Sequence, residues 1–240
     1  MRFQGYRVVV TGSGRGFGRS LAVAFGRAGA EVFVSARDFA AAERVAQEVR
    51  RIGARAHAFE CDLAEPESVR EFAAAVGDVA DAVDVLVNNG APYLDAGGFL
   101  DAEDEQIAAV VAAGATGTVL ACKHFLPLLR GSSKPDIVTV VSGCGEYGNH
   151  RSAAHEAFYA AKSAQAGFAE VLSKRLRPEG VRVVSLYPPD FDNPDPFGPE
   201  WDAERRDGDP LSARSLVDCV LFAVGQPRDC YIKSIHFEQA

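Results

Sequence analysis

The sequence predicts an α/β fold: one doubly wound domain with a seven-stranded parallel sheet and helices on both faces. Three observations carry this. Short β-branched apolar runs recur along the chain, longer amphipathic stretches separate them, and the first run ends in a glycine-rich turn. Near-continuous hydrophobic strands are what a parallel sheet buried on both faces requires, and regular βα alternation is the pattern of a doubly wound sheet.

Taken in order, the first strand is "RVVVTG" (7–12), followed by the helical pattern "RSLAVAFGRAGA". "EVFVSA" (31–36) is the second, with "AAERVAQEVRRIGA" after it, and "AHAFECD" (56–62) the third, with "PESVREFAAAVGDVA". "VDVLVNN" (83–89), "DIVTVVSG" (136–143) and "VRVVSLYP" (181–188) are the next three, the last preceded by "SAQAGFAEVLSKRLRPEG". "YIKSIHF" (231–237) completes the sheet. One stretch breaks the alternation. Residues 188–212, "PPDFDNPDPFGPEWDAERRDGDPLS", are too long for an ordinary connection and follow the C-terminal end of a strand, where ligands bind in such sheets. They are expected to form a substrate lid.

Bulk properties narrow the function. A chain of 240 residues, 48% hydrophobic and 24% charged, buries a substantial core. Its net charge of −8 argues against a nucleic-acid partner, which would call for a basic footprint. Five cysteines lie far apart with no CxxC pair and no histidine cluster, which implies reduced thiols and no metal site. An apolar strand begins within a few residues of Met1, and no apolar segment reaches the length of a membrane span. A cytoplasmic protein without a membrane partner is expected.

"TGSGRGFG" (Thr11 to Gly18) lies where the first strand turns into the first helix. Glycines let the backbone approach a pyrophosphate, and the helix N-terminus stabilises its charge. Thr11, Gly12, Ser13, Arg15, Gly16, Phe17 and Gly18 are therefore candidate cofactor residues. At the end of the second strand, "SARD" (Ser35 to Asp38) places Arg37 where an acid would hydrogen-bond the 2′-hydroxyl of NAD. A guanidinium there suits the 2′-phosphate of NADP, and Arg15 could add a second. NADP(H) is the expected cofactor, with Ser35 beside it. Asp38 is expected to cap the next helix.

In the family's own order, Thr11-Gly12…Gly16…Gly18, "CDL" (61–63), "NNGA" (88–91), Ser142, Lys162 and "VRVVSLYPP" resemble the short-chain dehydrogenase/reductase family over nearly the whole chain. The resemblance implies a Rossmann fold and hydride transfer between nicotinamide and a carbonyl or alcohol carbon. It places Asp62 and Leu63 at the adenine, has Asn88 brace the sheet, and sets Asn89, Gly90, Pro188 and Asn193 along the cofactor. It gives Lys162 the nicotinamide ribose and the activation of a tyrosine, and Ser142 the substrate oxygen. A homodimer or homotetramer is implied in the same way.

Two of the four catalytic positions depart from the family. In "EAFYAAKSAQAGF" (156–168) the residue four before Lys162 is Phe158, which has no proton to transfer, and Gly114 occupies the place of the relay asparagine. Four explanations stand. Tyr159 serves as a displaced donor; Tyr147 or His155 does so from an enlarged loop after Ser142; the chain does non-redox chemistry or only binds; or Phe158 is an introduced exchange. The leading expectation is an NADPH-dependent ketone or carbonyl reductase, or alcohol dehydrogenase, with altered proton delivery. Phe191, Phe197 and Trp201 in the lid suggest a small apolar or aromatic substrate.

Overall fold

The computed structural model describes residues 1–90, 92–95 and 97–239. Ala91, the last letter of "NNGA", lies outside them. Seven strands form one sheet: β1 (Arg7–Val10), β2 (Glu31–Ala36), β3 (Ala56–Glu60), β4 (Val85–Asn88), β5 (Asp136–Val140), β6 (Arg182–Tyr187) and β7 (Ser234–His236). Their order is β3-β2-β1-β4-β5-β6-β7, and every neighbouring pair is parallel. The order reverses between β1 and β4, so the crevice beyond their C-terminal ends is where a ligand belongs.

Side chains alternate across each strand and split the core in two. Val8, Val10, Val32, Val34, Val85 and Val87 face one layer, built of α1 (Gly16–Arg27), α2 (Phe39–Arg51) and a later helix, α7 (Ala213–Val224). Val9, Phe33, Leu86, Ile137 and Val183 face the other. There α3 (Pro66–Gly77), α5 (Gly117–Arg130) and α6 (Glu156–Leu176) pack, while α4 (Asp104–Val111) forms a third cluster against α6 with Leu94, Cys144 and Phe158.

Between α4 and α5 the chain does not break but passes through a π-helical turn, Ala112–Thr116, which contains Gly114. The resulting helix from Asp104 to Arg130 is long and apolar enough to cross a membrane by length and composition. That corrects the expectation that no segment reaches such a length. Its most apolar stretch is 44% buried within the fold, with Phe125 and Leu129 fully enclosed.

At the sheet edge the seventh strand is shorter than "YIKSIHF" suggests. Tyr231 does not pair through its backbone; its hydroxyl instead accepts from Val183 N at 2.8 Å and donates to Val183 O at 3.1 Å. A side chain thereby satisfies the exposed rung of β6. Behind it, the buried Arg182 guanidinium forks onto Asp136 at 2.8 and 2.7 Å and also reaches the carbonyls of Val224, Gln226, Pro227 and Cys230. This staples the turn after α7 to the sheet.

Candidate active site

The glycine loop rises from β1 with Gly12 and Gly16 at φ of +59° and +56°, a region that glycine enters without strain. At Gly18 the need is for closeness, since a Cβ would stand 2.5 Å from both Asn89 Nδ2 and Gly12 O. Ser13 ties the loop down: its backbone N–H donates to Ser35 O at 2.8 Å, and its hydroxyl donates to Val10 O at 2.7 Å and accepts from Ser35 N at 3.1 Å. Thr11 does the same from the side, its hydroxyl accepting from the amides of Asn89 and Gly90.

Three expected cofactor side chains are therefore part of the cradle. Thr11 and Ser13 are buried and hold the loop from behind, while Ser35 takes part through its backbone and its buried Oγ has no hydrogen-bond partner. Asn89 likewise engages its side chain with the carbonyls of Thr11 and Gly12 at 3.3 and 3.1 Å. By strand alternation the Ser35 side chain shares the face of Phe33, opposite Val34 and the α1 layer, and the loop meets Ser35 through its backbone. Asn88 donates to Cys122 Sγ at 3.2 Å, while its Oδ1 is buried without a partner. Leu63 packs so tightly on Gly90 that a Cβ there would lie 2.0 Å from it.

The residues that fit a dinucleotide are those left open. The N-terminus of α1 has no side-chain cap and no acid in its first turn, unlike α2, which Asp38 caps as expected with a 3.0 Å bond from Ala40 N. First-turn amides at Gly16, Phe17 and Gly18 have no intrahelical acceptor, which suits a pyrophosphate. Arg15 and Arg37 are exposed and, among the described residues, neither guanidinium forms a salt bridge or hydrogen bond. Asp62 stands at the end of β3, with Oδ1 accepting from Ala64 N at 2.9 Å.

The segment 188–212 folds back over this loop. Phe191 packs edge-on against Phe17 with centroids 5.2 Å apart, and Asn193 Oδ1 accepts from Ser20 Oγ at 3.0 Å. Arg19 and Arg27 flank the Phe197 ring, while Trp201 is buried in the core. Pro188 contributes its carbonyl, which accepts from Gly143 N at 2.8 Å.

Ser142 follows β5 at φ +98° and ψ +153°, a region that non-glycine residues seldom enter. Its Oγ accepts from Cys144 N at 3.2 Å, which leaves the hydroxyl proton free. Lys162 is buried in α6. Its ammonium donates to Val140 O at 2.9 Å and Gln165 Oε1 at 3.0 Å, and sits 5.3 Å from the Phe158 ring centroid. Burial brings its pKa down to about 8, opposed by the Cys144 thiol nearby.

The three displaced donors do not converge on this ammonium. Tyr147 is fully exposed. His155 caps α6: Nδ1 accepts from Ala157 N at 3.1 Å and Nε2 lies 3.2 Å from Phe99 O, so both nitrogens are engaged in a buried place. That corrects the reading of His155 as a loop-borne acid. Tyr159 is turned aside, its hydroxyl exchanging 3.1 Å bonds with Ser152 N and O. Burial raises its pKa, and the Cys144 thiol adds to the rise. Tyr147 and Tyr159 line one cavity of about 690 Å³ together with Cys144, Glu146, His150 and Ser163. Neither Ser142 nor Lys162 lines that cavity.

Sequence reasoning missed Gln165 and Thr118. Gln165 is 1% exposed and donates to Gly114 O at 2.9 Å and Thr118 Oγ1 at 2.8 Å. The signal was available: it lies three residues after Lys162, on a helix face otherwise lined by Ala161, Ala169 and Leu176.

A parallel sheet of this order, with a glycine cradle at its switch point and a buried lysine on the helix after β5, defines a dinucleotide-binding enzyme fold. The short chain dehydrogenase family model matches residues 6–198, and the chain belongs to that family. Among curated relatives, a Mycobacterium tuberculosis protein named "Probable oxidoreductase EphD" is 33% identical over 181 residues, 75% of this chain. The chain spans only 30% of that relative's length. The 3-oxoacyl-(acyl-carrier-protein) reductase FabG of Aquifex aeolicus is 30% identical over 193 residues, covering 78% of this chain and 75% of FabG. Among solved structures, a metagenomic short-chain oxidoreductase in complex with NADP superposes with a TM-score of 0.82 at 24% identity, over 98% of this chain and 97% of its own.

Proposed function

We propose that the protein is an NADPH-dependent oxidoreductase, a ketone or carbonyl reductase or alcohol dehydrogenase acting on a small apolar or aromatic molecule. The observation that carries this reading is the pair of unpartnered guanidiniums, Arg15 and Arg37, at the rim of an uncapped helix N-terminus. Charge-assisted bonds to a 2′-phosphate give both a role that neither has within the chain. The NADP in the solved relative agrees with this.

When bound, the nicotinamide supplies the hydride. The first-turn amides of α1 hold the pyrophosphate, Lys162 directs its remaining N–H toward the ribose hydroxyls, and the free Ser142 proton holds the substrate oxygen. Phe158 contributes no proton. Of the three displaced candidates Tyr159 is the one this reading keeps, because Tyr147 is fully exposed and His155 has both nitrogens engaged, and to act it must release the Ser152 backbone. Residues 188–212 serve as the lid, with Phe191 and Asn193 over the glycine loop. Turnover of NADPH with a panel of ketones and quinones, followed at the nicotinamide absorbance, tests the reading; no oxidation with any member sinks it.

A second reading has an observation of its own. Phe158 faces the Lys162 ammonium where a phenolate would otherwise stand, which suits a member that binds cofactor and catalyses dehydration, isomerisation or cyclisation, or only binds. By resemblance the assembly is a cytoplasmic homodimer or homotetramer. Light scattering of the purified chain checks that.

A further inference from the structure

We infer that Gln165 is a positioning residue: its side-chain amide, clamped between the helix bend at Gly114 and the Lys162 ammonium, fixes where that ammonium points. The direction of the clamp follows from the bonds themselves. Thr118 Oγ1 gives its one proton to Gly114 O at 2.7 Å, so toward Gln165 it only accepts. The Gln165 atom 2.8 Å away is therefore the NH2 group, whose second proton goes to Gly114 O at 2.9 Å. The opposite end must be Oε1, which presents a lone pair to Lys162 Nζ at 3.0 Å. A flipped amide would set two donors against each other and leave Gly114 O and Thr118 facing a carbonyl. The arrangement is thus single-valued, and the π-helical turn at Ala112–Thr116 is where it is anchored.

Gln165 is enclosed, and the ammonium it meets is 4% exposed. Two of the three ammonium protons go to Val140 O and Gln165, leaving one direction open. From the turn after β5 the ammonium faces the Cys144 thiol, with the Tyr159 hydroxyl and Tyr93 beyond. From β5 it meets the Val140 carbonyl, from the π-helical turn and α5 no titratable group among the described residues, and on its own helix Phe158 and Gln165. Gln165 is thus the polar neighbour whose replacement most directly alters both the aim and the charge of Lys162.

This rests on the proposed role of Lys162 toward the cofactor only for its catalytic consequence, and the test separates the two. The chain has five lysines, so ¹³Cε-labelled lysine signals can be titrated in the cofactor-free protein, with Lys162 assigned by its loss in Lys162→Arg. Relative to the wild-type midpoint, Gln165→Met is expected to titrate at lower pH, because an acceptor for the charged form is gone. Gln165→Glu is expected to titrate about one unit or more higher, because a carboxylate favours it. Gln165→Glu is nearly isosteric and decides the matter alone if the methionine variant does not fold. Opposite shifts, with NADPH binding about tenfold weaker in Gln165→Met, support the inference, a factor equal to one pKa unit. Opposite shifts with unchanged NADPH affinity support the positioning and overturn the ribose role. Midpoints that stay at the wild-type value overturn the inference.

Discussion

The Lys162 ammonium stands 5.3 Å from the centroid of the Phe158 ring, while the Tyr159 hydroxyl is turned aside onto the Ser152 backbone. One residue of helix advance rotates a side chain by about 100°, which separates the two aromatic neighbours. A hydroxyl added at position 158 would therefore face the ammonium directly. For Phe158→Tyr we expect a gain in kcat on the order of 10²-fold, the lower end of what a placed general acid contributes. Steady-state reduction of the best ketone substrate checks it, and an unchanged or lower kcat would count against the site assignment.

Tyr159→Phe should act in two ways. Loss of the paired bonds to Ser152 is expected to cost about 1 kcal/mol of stability, the ordinary worth of such bonds. Under the proposed mechanism kcat also falls by about 10²-fold while NADPH affinity holds. Urea unfolding and single-turnover kinetics measure the two separately; full activity in the variant would remove Tyr159 as the donor.

Lys162 predicts a pH dependence of stability. Its pKa is about 8 in the folded chain against an ordinary 10.5, so between those values the unfolded chain holds more protons. Stability contributed by this site therefore rises with pH across that window, and the full burial penalty of the ammonium applies below it. The unfolding free energy of wild type minus that of Lys162→Met should increase by about 3 kcal/mol from neutral to strongly alkaline pH. Subtracting the variant removes the other titrations. A pH-independent difference would show that the ammonium is not desolvated as described.

Arg182 and Asp136 make the strongest structural prediction away from the site. They are 4% and 1% exposed, and Arg182 also holds four carbonyls around the turn after α7. Arg182→Met should destabilise by about 1–3 kcal/mol: Arg228 Nη1 still meets Asp136 Oδ1 at 2.6 Å, but the other carboxylate oxygen and the four carbonyls lose their donor. Chemical denaturation tests this, with NADPH affinity expected to hold in the folded fraction.

Much of this was legible in the sequence because period and punctuation are local. All seven strands and their parallel order follow from β-branched runs, and the glycine loop from its spacing. The helix cap at Asp38 was readable for the same reason. What escaped was set by tertiary direction. Ser13 and Ser35 read as cofactor residues, yet both side chains are buried and the Ser13 hydroxyl is spent on Val10 O and Ser35 N. His155 read as a loop acid, yet it caps a helix whose start lies earlier than the pattern showed. Gln165 was overlooked because its partners are Gly114 and Thr118 on another helix, a pairing that no spacing along α6 encodes.

Under the proposed function the cofactor end is intact and built for a 2′-phosphate. Arg37→Ala should lower NADPH affinity by about 10- to 100-fold, the worth of one or two charge-assisted bonds, and leave NADH affinity alone. The most direct measurement is titration of the wild-type protein with NADPH and with NADH, followed by nicotinamide fluorescence. NADPH is expected to bind at least about tenfold tighter, since one charge-assisted contact alone supplies that factor. Equal affinities, or binding of neither, would contradict it.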